Sequence, residues 1–453
     1  MAEYLNNNED NEGDDEYRDN PSKILAVTVT YEDDENKLFK SMKDVVRVIV
    51  SSWSCLSDDD IIVSKLSGGI TNIIYLLRKN NNGSNSINTT MNPNAVIVRI
   101  YGDGTDIVID RNTENNVFAS LSSLRIGPIY YGRFQNGRVE GYLSARSLTM
   151  EEMCDPSLHP RTAYAIAQLH SQQVYDIDTS ISIYTKVCKN IEIAKTLTFD
   201  DPHKRQLYER LNLSLIENEL KGLNDYLYEL MEDGLDFDSN TDDDGKKHFA
   251  SWHRAGIKLA MDITLCHNDL LSGNILLSHE LISFLDTDPS VRDGSDFNDT
   301  GGISLIDYEY AGYDYRGYDI ANHFCEFAGF DFNIKEHFPK FETRAMFIYH
   351  YICAVANRKD TSLLRLDSGT RAAISYISSL TIGNIFNNEE TLTFFLAVDS
   401  VIRPMCLLAH LYWGVWSVIQ SRYSPVVDFE YLEYAHQRLN GYFYHKDEFN
   451  LNF

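Results

Sequence analysis

The spacing of apolar residues changes twice along this chain, and the changes divide it. Residues 1–22 hold almost none; Asn, Asp and Glu dominate, and the segment is expected to be a disordered acidic tail. From Lys37 to Trp53, Leu38, Met42, Val45, Val46, Val48 and Ile49 recur at helical spacing. Strands are predicted at Ile61–Lys65, Ile73–Arg78 and Ala95–Tyr101, a helix at Asp110–Leu124, and a hairpin from Ile129–Phe134 and Val139–Leu143 about Asn136-Gly137, a favoured turn pair. Asn80 to Asn92 is a low-complexity Asn/Ser/Thr stretch suited to a hairpin tip.

Beyond about residue 150 the pattern turns helical. Helices are predicted at Thr162–His170, Arg205–Met231, Phe341–Ala356 and Leu392–Ser421. Residues 232–247 and 286–302 are acidic and polar, and read as insertions with no core potential. No internal repeat is evident, and no apolar run approaches membrane-spanning length, so membrane insertion is not expected. The organisation expected is α+β and bilobal: a tail (1–22), a small β-rich N-terminal lobe (23–150) and a large, mainly helical C-terminal lobe (151–453).

Charge narrows the partners. Forty basic residues face 67 acidic ones, a formal charge of −27, which argues against nucleic acid. The seven cysteines are odd in number and show no paired spacing, as expected of reduced thiols in a cytoplasmic protein. No apolar signal-peptide core follows the first methionine.

The sharpest chemistry lies in Leu265–Leu277, which reads His-x-Asp-x-x-x-x-Asn between two apolar runs and is followed by Leu305-Ile306-Asp307-Tyr308-Glu309. Phosphoryl transfer needs a carboxylate to take the hydroxyl proton, and an amide with a second carboxylate to hold Mg²⁺ on the phosphates. Asp269 fits the base, and Asn274 and Asp307 the metal ligands; Asp307 stands where protein kinases carry the Asp of Asp-Phe-Gly. His267 has no metal-ligand spacing around it and suits a brace for this loop.

Other candidates have bland alternatives. Gly68 and Gly69, followed by Thr71 and Asn72 between two predicted strands, could admit phosphates to the backbone or simply turn the chain. Arg99, a lone cation in an apolar strand, could touch phosphates and pair with Glu114, or snorkel to water from an edge strand. Trp413 and Trp416 share one helix face and could be ordinary core. With Tyr310, Phe429, Tyr434 and the Glu326 carboxylate, they could instead cage an alkylammonium group.

On Ser67–Asn72, Val96–Tyr101, Cys266–Leu277, Ile306–Glu326 and Trp413–Phe443, the chain resembles the choline/ethanolamine kinase family. The most specific block is Ile306-Asp307-Tyr308-Glu309-Tyr310-Ala311-Gly312-Tyr313-Asp314-Tyr315-Arg316-Gly317-Tyr318-Asp319-Ile320-Ala321-Asn322-His323-Phe324-Cys325-Glu326. The resemblance implies a protein-kinase-like fold and ATP-dependent, Mg²⁺-dependent phosphorylation of choline or ethanolamine. That is the first step of the CDP-choline and CDP-ethanolamine routes to phospholipid. It implies Asp269 as base, Asn274 and Asp307 as Mg²⁺ ligands with Glu309 as a further carboxylate, and Arg99 with the Gly68-Gly69 loop at the nucleotide. It implies a headgroup pocket from Tyr310, Glu326, Trp413, Trp416 and Tyr434, and it suggests a homodimer. Glu326–Gly329, Tyr310–Tyr313 and Tyr101–Asp106 look more like ethanolamine kinases, whereas Phe134–Leu148 and Arg316-Gly317 look more like choline kinases. Phe330-Asp331-Phe332 stands where many choline kinases carry an extra Tyr. The alternatives are a phosphotransferase acting on another amino alcohol or an aminoglycoside, or a catalytically silent headgroup binder.

Overall fold

The computed structural model describes residues 23–29, 34–66, 72–80, 92–102, 109–175, 177–179, 182–236, 244–287, 301–357, 365–424 and 429–453. The chain divides into two compact units, one of residues 1–102 and 128–143, the other of 103–127 and 144–453.

In the first unit, β1 (Ile24–Leu25), β2 (Ile61–Leu66), β3 (Asn72–Lys79), β4 (Ala95–Tyr101), β5 (Tyr130–Phe134) and β6 (Gly137–Gly141) form one sheet in the order β1-β5-β6-β4-β3-β2. Only the short β1 pairs in parallel; the other neighbours are antiparallel. The β5–β6 turn falls on Gln135-Asn136, one residue earlier than the Asn136-Gly137 pair read from the sequence. Asn136 is held by Val29, accepting from its N–H at 3.0 Å and donating to its carbonyl at 2.8 Å. Gly137 is drawn into the strand, where any Cβ would collide with the Arg99 carbonyl oxygen.

The helix Glu35–Ile49 is capped by the Asp34 side chain and buries Leu38, Met42, Val45, Val46 and Ile49. They pack on Val96, Val98 and Ile100, alternate residues of β4, and on Trp53, Tyr75, Leu77, Phe134 and Val139. Each such side chain contributes about 1.5–3 kcal/mol by leaving water. The helix ends at Ile49 rather than Trp53; Ser51–Trp53 forms a separate 3₁₀ turn that lets the Trp53 indole donate to the Pro93 carbonyl at 2.9 Å.

The second unit contains β7 (Ala145–Ser147), β8 (Ile263–Cys266), β9 (Ile275–Ser278), β10 (Ile303–Leu305) and β11 (Gly312–Tyr315). They form two small sheets, β10-β9-β7 and β11-β8, with antiparallel pairing throughout. Among the described residues, the rest of its regular structure is helical. The single helix expected over 205–231 is two, Pro202–Arg210 and Leu213–Asp236, parted at Asn212, which takes a left-handed conformation (φ 48°) that Asn tolerates better than most residues. The acidic stretch 232–247 is partly helical, because the flanking helices Leu213–Asp236 and Asp244–Met261 extend into it. Residues 237–243 and 288–300, the centres of the two expected insertions, lie outside the described residues, as does the tail 1–22.

The longest element is the 35-residue helix Glu389–Tyr423, capped by Asn388, whose side chain accepts from the amides of Glu390 and Thr391. Contrary to the sequence expectation, it is long and apolar enough to cross a membrane. Yet 72% of its most apolar window is buried inside the fold, packed by the helices Tyr431–Glu448, Asp244–Met261 and Arg316–Glu326. Gly256 permits one of these contacts: a Cβ there would stand 2.5 Å from the Phe394 carbonyl oxygen.

Candidate active site

The His-x-Asp motif forms the loop between β8 and β9. Pairing of β8 with β11 and of β9 with β10 brings the segment 306–311 alongside it, and the Ile306 amide donates to the Asn274 carbonyl at 3.0 Å. Asn274 Nδ2 donates to both the carbonyl and the carboxylate of Asp269, at 2.9 and 2.8 Å, leaving Asn274 Oδ1 unengaged by this bond. Asn268 (φ 65°) and Asp307 (φ 67°) are both left-handed, a conformation that short polar side chains sustain better than other non-glycine residues.

The loop is braced from the helix Arg316–Glu326. Asp319 accepts the backbone N–H groups of His267 and Asn268, each at 2.8 Å, and faces His170 Nε2 at 3.0 Å. Burial works to raise its pKa, but the His170 contact and the amide bond hold this carboxyl below the ordinary range. Asn322 donates to the Asn268 carbonyl at 3.3 Å, and His323 Nδ1 lies 3.0 Å from the Leu270 carbonyl. His267, kept neutral by burial, donates through Nε2 to the Ile306 carbonyl at 2.8 Å.

Carboxylates crowd the site. Burial, then the charges of Glu326, Asp307 and Glu309, push the Asp269 carboxyl well above its usual range, against the hydrogen bond from Asn274. Glu114, Asp307 and Glu309 present ligand atoms all within 4.8 Å of one another. Arg111 bonds Glu114 at 2.7 Å and Glu309 at 3.4 Å, from the first turn of a helix (Arg111–Ser123) that Asp110 caps by accepting from the amides of Asn112 and Thr113.

The aromatic residues come together as well. Tyr310 lies edge-on to Trp413 (5.2 Å between centroids) and to Trp416 (6.5 Å), and the two indoles are 5.4 Å apart at 79°. Trp416 Nε1 donates to the Tyr310 hydroxyl and Trp413 Nε1 to Asn322 Oδ1, both at 2.8 Å. Phe429 packs on Tyr434 at 5.4 Å and on Phe330 at 5.9 Å. Glu326 is buried at the C-terminal end of its helix and bonds Arg438, which also donates to the Tyr434 hydroxyl at 2.8 Å.

Gly68, Gly69 and Thr71 lie outside the described residues. Asn72, buried at the start of β3, pairs with Tyr101. In the first unit Arg99 is buried on β4, an interior strand, so the edge-strand reading does not hold. It lies 3.3 Å from Glu140, which also accepts from Arg138 at 2.7 Å. Burial would raise the Glu140 pKa, but Arg99 and Arg138 outweigh it and hold the carboxyl below its ordinary value. Asp319, Asn322, Arg111, Glu140 and Arg438 were not singled out as site residues from sequence. Asp319 and Asn322 stand inside the Ile306–Glu326 block, and Arg438 is one helical turn beyond Tyr434, so a helical reading of those segments would have found them.

Known proteins resemble this chain in sequence and in fold. The choline/ethanolamine kinase sequence family matches residues 63–443. A probable ethanolamine kinase A of Dictyostelium discoideum is 28% identical over 432 residues, covering 95% of this chain and 97% of its own length. A probable choline kinase 2 of Arabidopsis thaliana is 26% identical, covering 91% and 93%. Among solved structures, an ethanolamine kinase of Plasmodium vivax aligns with a TM-score of 0.60 at 20% identity, covering 92% of each chain. A choline kinase of Cryptosporidium parvum aligns at 0.57 and 21% identity, covering 90% of this chain and 95% of its own. These structures share the fold, which is α+β and protein-kinase-like, with a small β-rich unit and a large helical one. With the match spanning both the Asp269 loop and the tryptophan helix, the chain belongs to the choline/ethanolamine kinase family.

Proposed function

We propose that this small-molecule kinase transfers the γ-phosphoryl group of ATP to the hydroxyl of choline or ethanolamine. The observation that carries the reading is the Asp269–Asn274 hydrogen bond set beside Glu326, whose charge is felt at Asp269, in the same unit as the Tyr310–Trp413–Trp416 cluster. A candidate base and a candidate ammonium-binding surface would thus lie in one compact unit.

The oxygen-only donor set fits Mg²⁺: Asn274 Oδ1, Asp307 and Glu309 are hard ligands, and the close Glu114, Asp307 and Glu309 carboxylates call for a counter-cation. When bound, Mg²⁺ would neutralise charge building on the transferred phosphoryl group. The remaining work belongs to the chain. The indoles and Tyr310 present π faces to the cationic nitrogen, and Glu326 adds charge. Asp269 takes the hydroxyl proton as that oxygen bonds to the γ-phosphorus and the bond to the ADP oxygen breaks. The brace through Asp319 holds Asp269 in register, so orientation supplies much of the rate. The unbridged cysteines support a cytoplasmic setting.

The test is kcat/KM for ADP formation with each amine in parallel, with ATP and Mg²⁺. Turnover of either supports the reading, and a preference of about tenfold, or 1.4 kcal/mol, names the acceptor. Turnover of neither amine overturns it.

A further inference from the structure

Arg438 lies on the helix Tyr431–Glu448 and is 2% exposed. A guanidinium is seldom buried so deeply unless it is paired. Here Nη2 donates to Glu326 Oε1 and Nε donates to the Tyr434 hydroxyl at 2.8 Å. The guanidinium carbon lies 5.2 Å from the Tyr434 ring centroid and 5.4 Å from that of Phe332. Phe332 reaches this stack from a left-handed backbone (φ 56°). One planar group therefore joins a carboxylate from one helix, a ring from another and a ring from the connecting segment. Among the described residues Glu326 bonds to Arg438 through Oε1 alone, leaving Oε2 open.

We infer that Arg438 is a positioning residue for amine recognition. It fixes the Glu326 carboxylate and the Tyr434 ring in one relative geometry, with Glu326 Oε2 turned to the cationic nitrogen. The inference rests on the amine-kinase reading above. The chemistry of the fork explains why arginine stands here. Two of its nitrogens engage two different partners while its faces stack on rings, and a lysine ammonium, a point charge on a flexible stem, cannot hold all of them at once. A contribution to stability alone is a weaker account, because a buried ion pair is commonly matched by apolar residues of similar size.

The test compares wild type, Arg438→Lys, Arg438→Met, Glu326→Gln and the Glu326→Gln/Arg438→Met double variant, all as full chains with ATP, Mg²⁺ and each amine. Both Arg438 variants are expected to raise the amine KM about tenfold or more while kcat and the ATP KM stay within about twofold. The double variant is expected to be little worse than Glu326→Gln, because the arginine acts mainly through that carboxylate. Restoration of the amine KM by Arg438→Lys would overturn the inference, as would losses spread equally over kcat, ATP KM and thermal stability. If Arg438→Met does not fold, the Arg438→Lys and Glu326→Gln comparison decides it. Wild type inactive with both amines overturns the amine-kinase reading itself, an outcome distinct from an active enzyme indifferent to Arg438→Lys.

Discussion

The indole N–H of Trp413 donates to Oδ1 of Asn322 at 2.8 Å, and the Asn322 amide donates in turn to the carbonyl of Asn268, the residue before the candidate base. The indole proposed to face the amine and the loop of the candidate base thus share one buried amide. Trp416 donates instead to the Tyr310 hydroxyl; the link of Tyr310 to the loop, its carbonyl accepting from Asn268 Nδ2 at 3.0 Å, is made by the backbone and does not need the indole. Trp413→Phe keeps a ring but leaves Asn322 Oδ1 unpaired, a cost of about 1–3 kcal/mol. It is expected to lower kcat as well as raise the amine KM, whereas Trp416→Phe raises the amine KM alone. Steady-state kinetics on the two variants separates them; identical profiles would show that Asn322 transmits nothing.

Asp269→Asn removes the proposed proton acceptor while keeping the shape. Turnover is expected to fall about 10²- to 10⁴-fold. Amine binding, followed by tryptophan fluorescence or calorimetry, should persist. Undiminished turnover would mean that another group takes the proton.

Asp319→Asn tests the brace. An amide offers one acceptor oxygen where the carboxylate serves two backbone N–H groups and faces His170. Breaking such a buried charged network costs about 3–5 kcal/mol. A clear drop in Tm together with reduced kcat is expected, and an unchanged Tm would show the loop holding its shape unaided.

Acid should destabilise the protein early. Burial holds His159, His323 and His350 near pKa 4 and His445 near 3, against about 6.5 in the unfolded chain. Below about pH 6.5 the unfolded chain therefore binds protons that the folded one refuses, so stability falls with pH. The loss is about 1.4 kcal/mol per pH unit for each such group until its folded pKa is reached. Thermal unfolding at pH 7 and pH 5 checks this; equal midpoints would contradict it.

Gly256→Ala places a methyl against the Phe394 carbonyl and Ala397. Forcing apart two helices so closely packed is expected to cost about 1–3 kcal/mol, read as a lower denaturation midpoint. No change would mean that the helices part freely.

Much of this architecture was legible in the residues. The apolar run Val96–Ile100 announced β4, and Asp110 marked the start of the helix that follows, because strand-forming runs and helix caps are local signals. The turn at Gln135-Asn136 and the break at Asn212 were misread because tertiary partners decide them: Val29 claims the Asn136 side chain, and of the helices on either side of Asn212 the first packs on Tyr431–Glu448 and the second on Glu389–Tyr423. At the site, residues that carry chemistry stood in motifs, whereas those that hold them did not. Asp319, Arg111 and Arg438 act on groups distant in sequence, and only folding brings these together.

The two tryptophans are mounted on Glu389–Tyr423, a helix largely buried by its neighbours, while Phe330, 51% exposed, and Phe429 stand on connecting segments. One wall of the proposed headgroup pocket is therefore masonry and the other upholstery. Substitutions under the first would be felt throughout the helical unit, and those in the second would be felt mainly by the ligand. A lineage adapting this enzyme to a bulkier or slighter amine would find its freedom at 330–331 and 429–430, and would keep Trp413 and Trp416 as it found them.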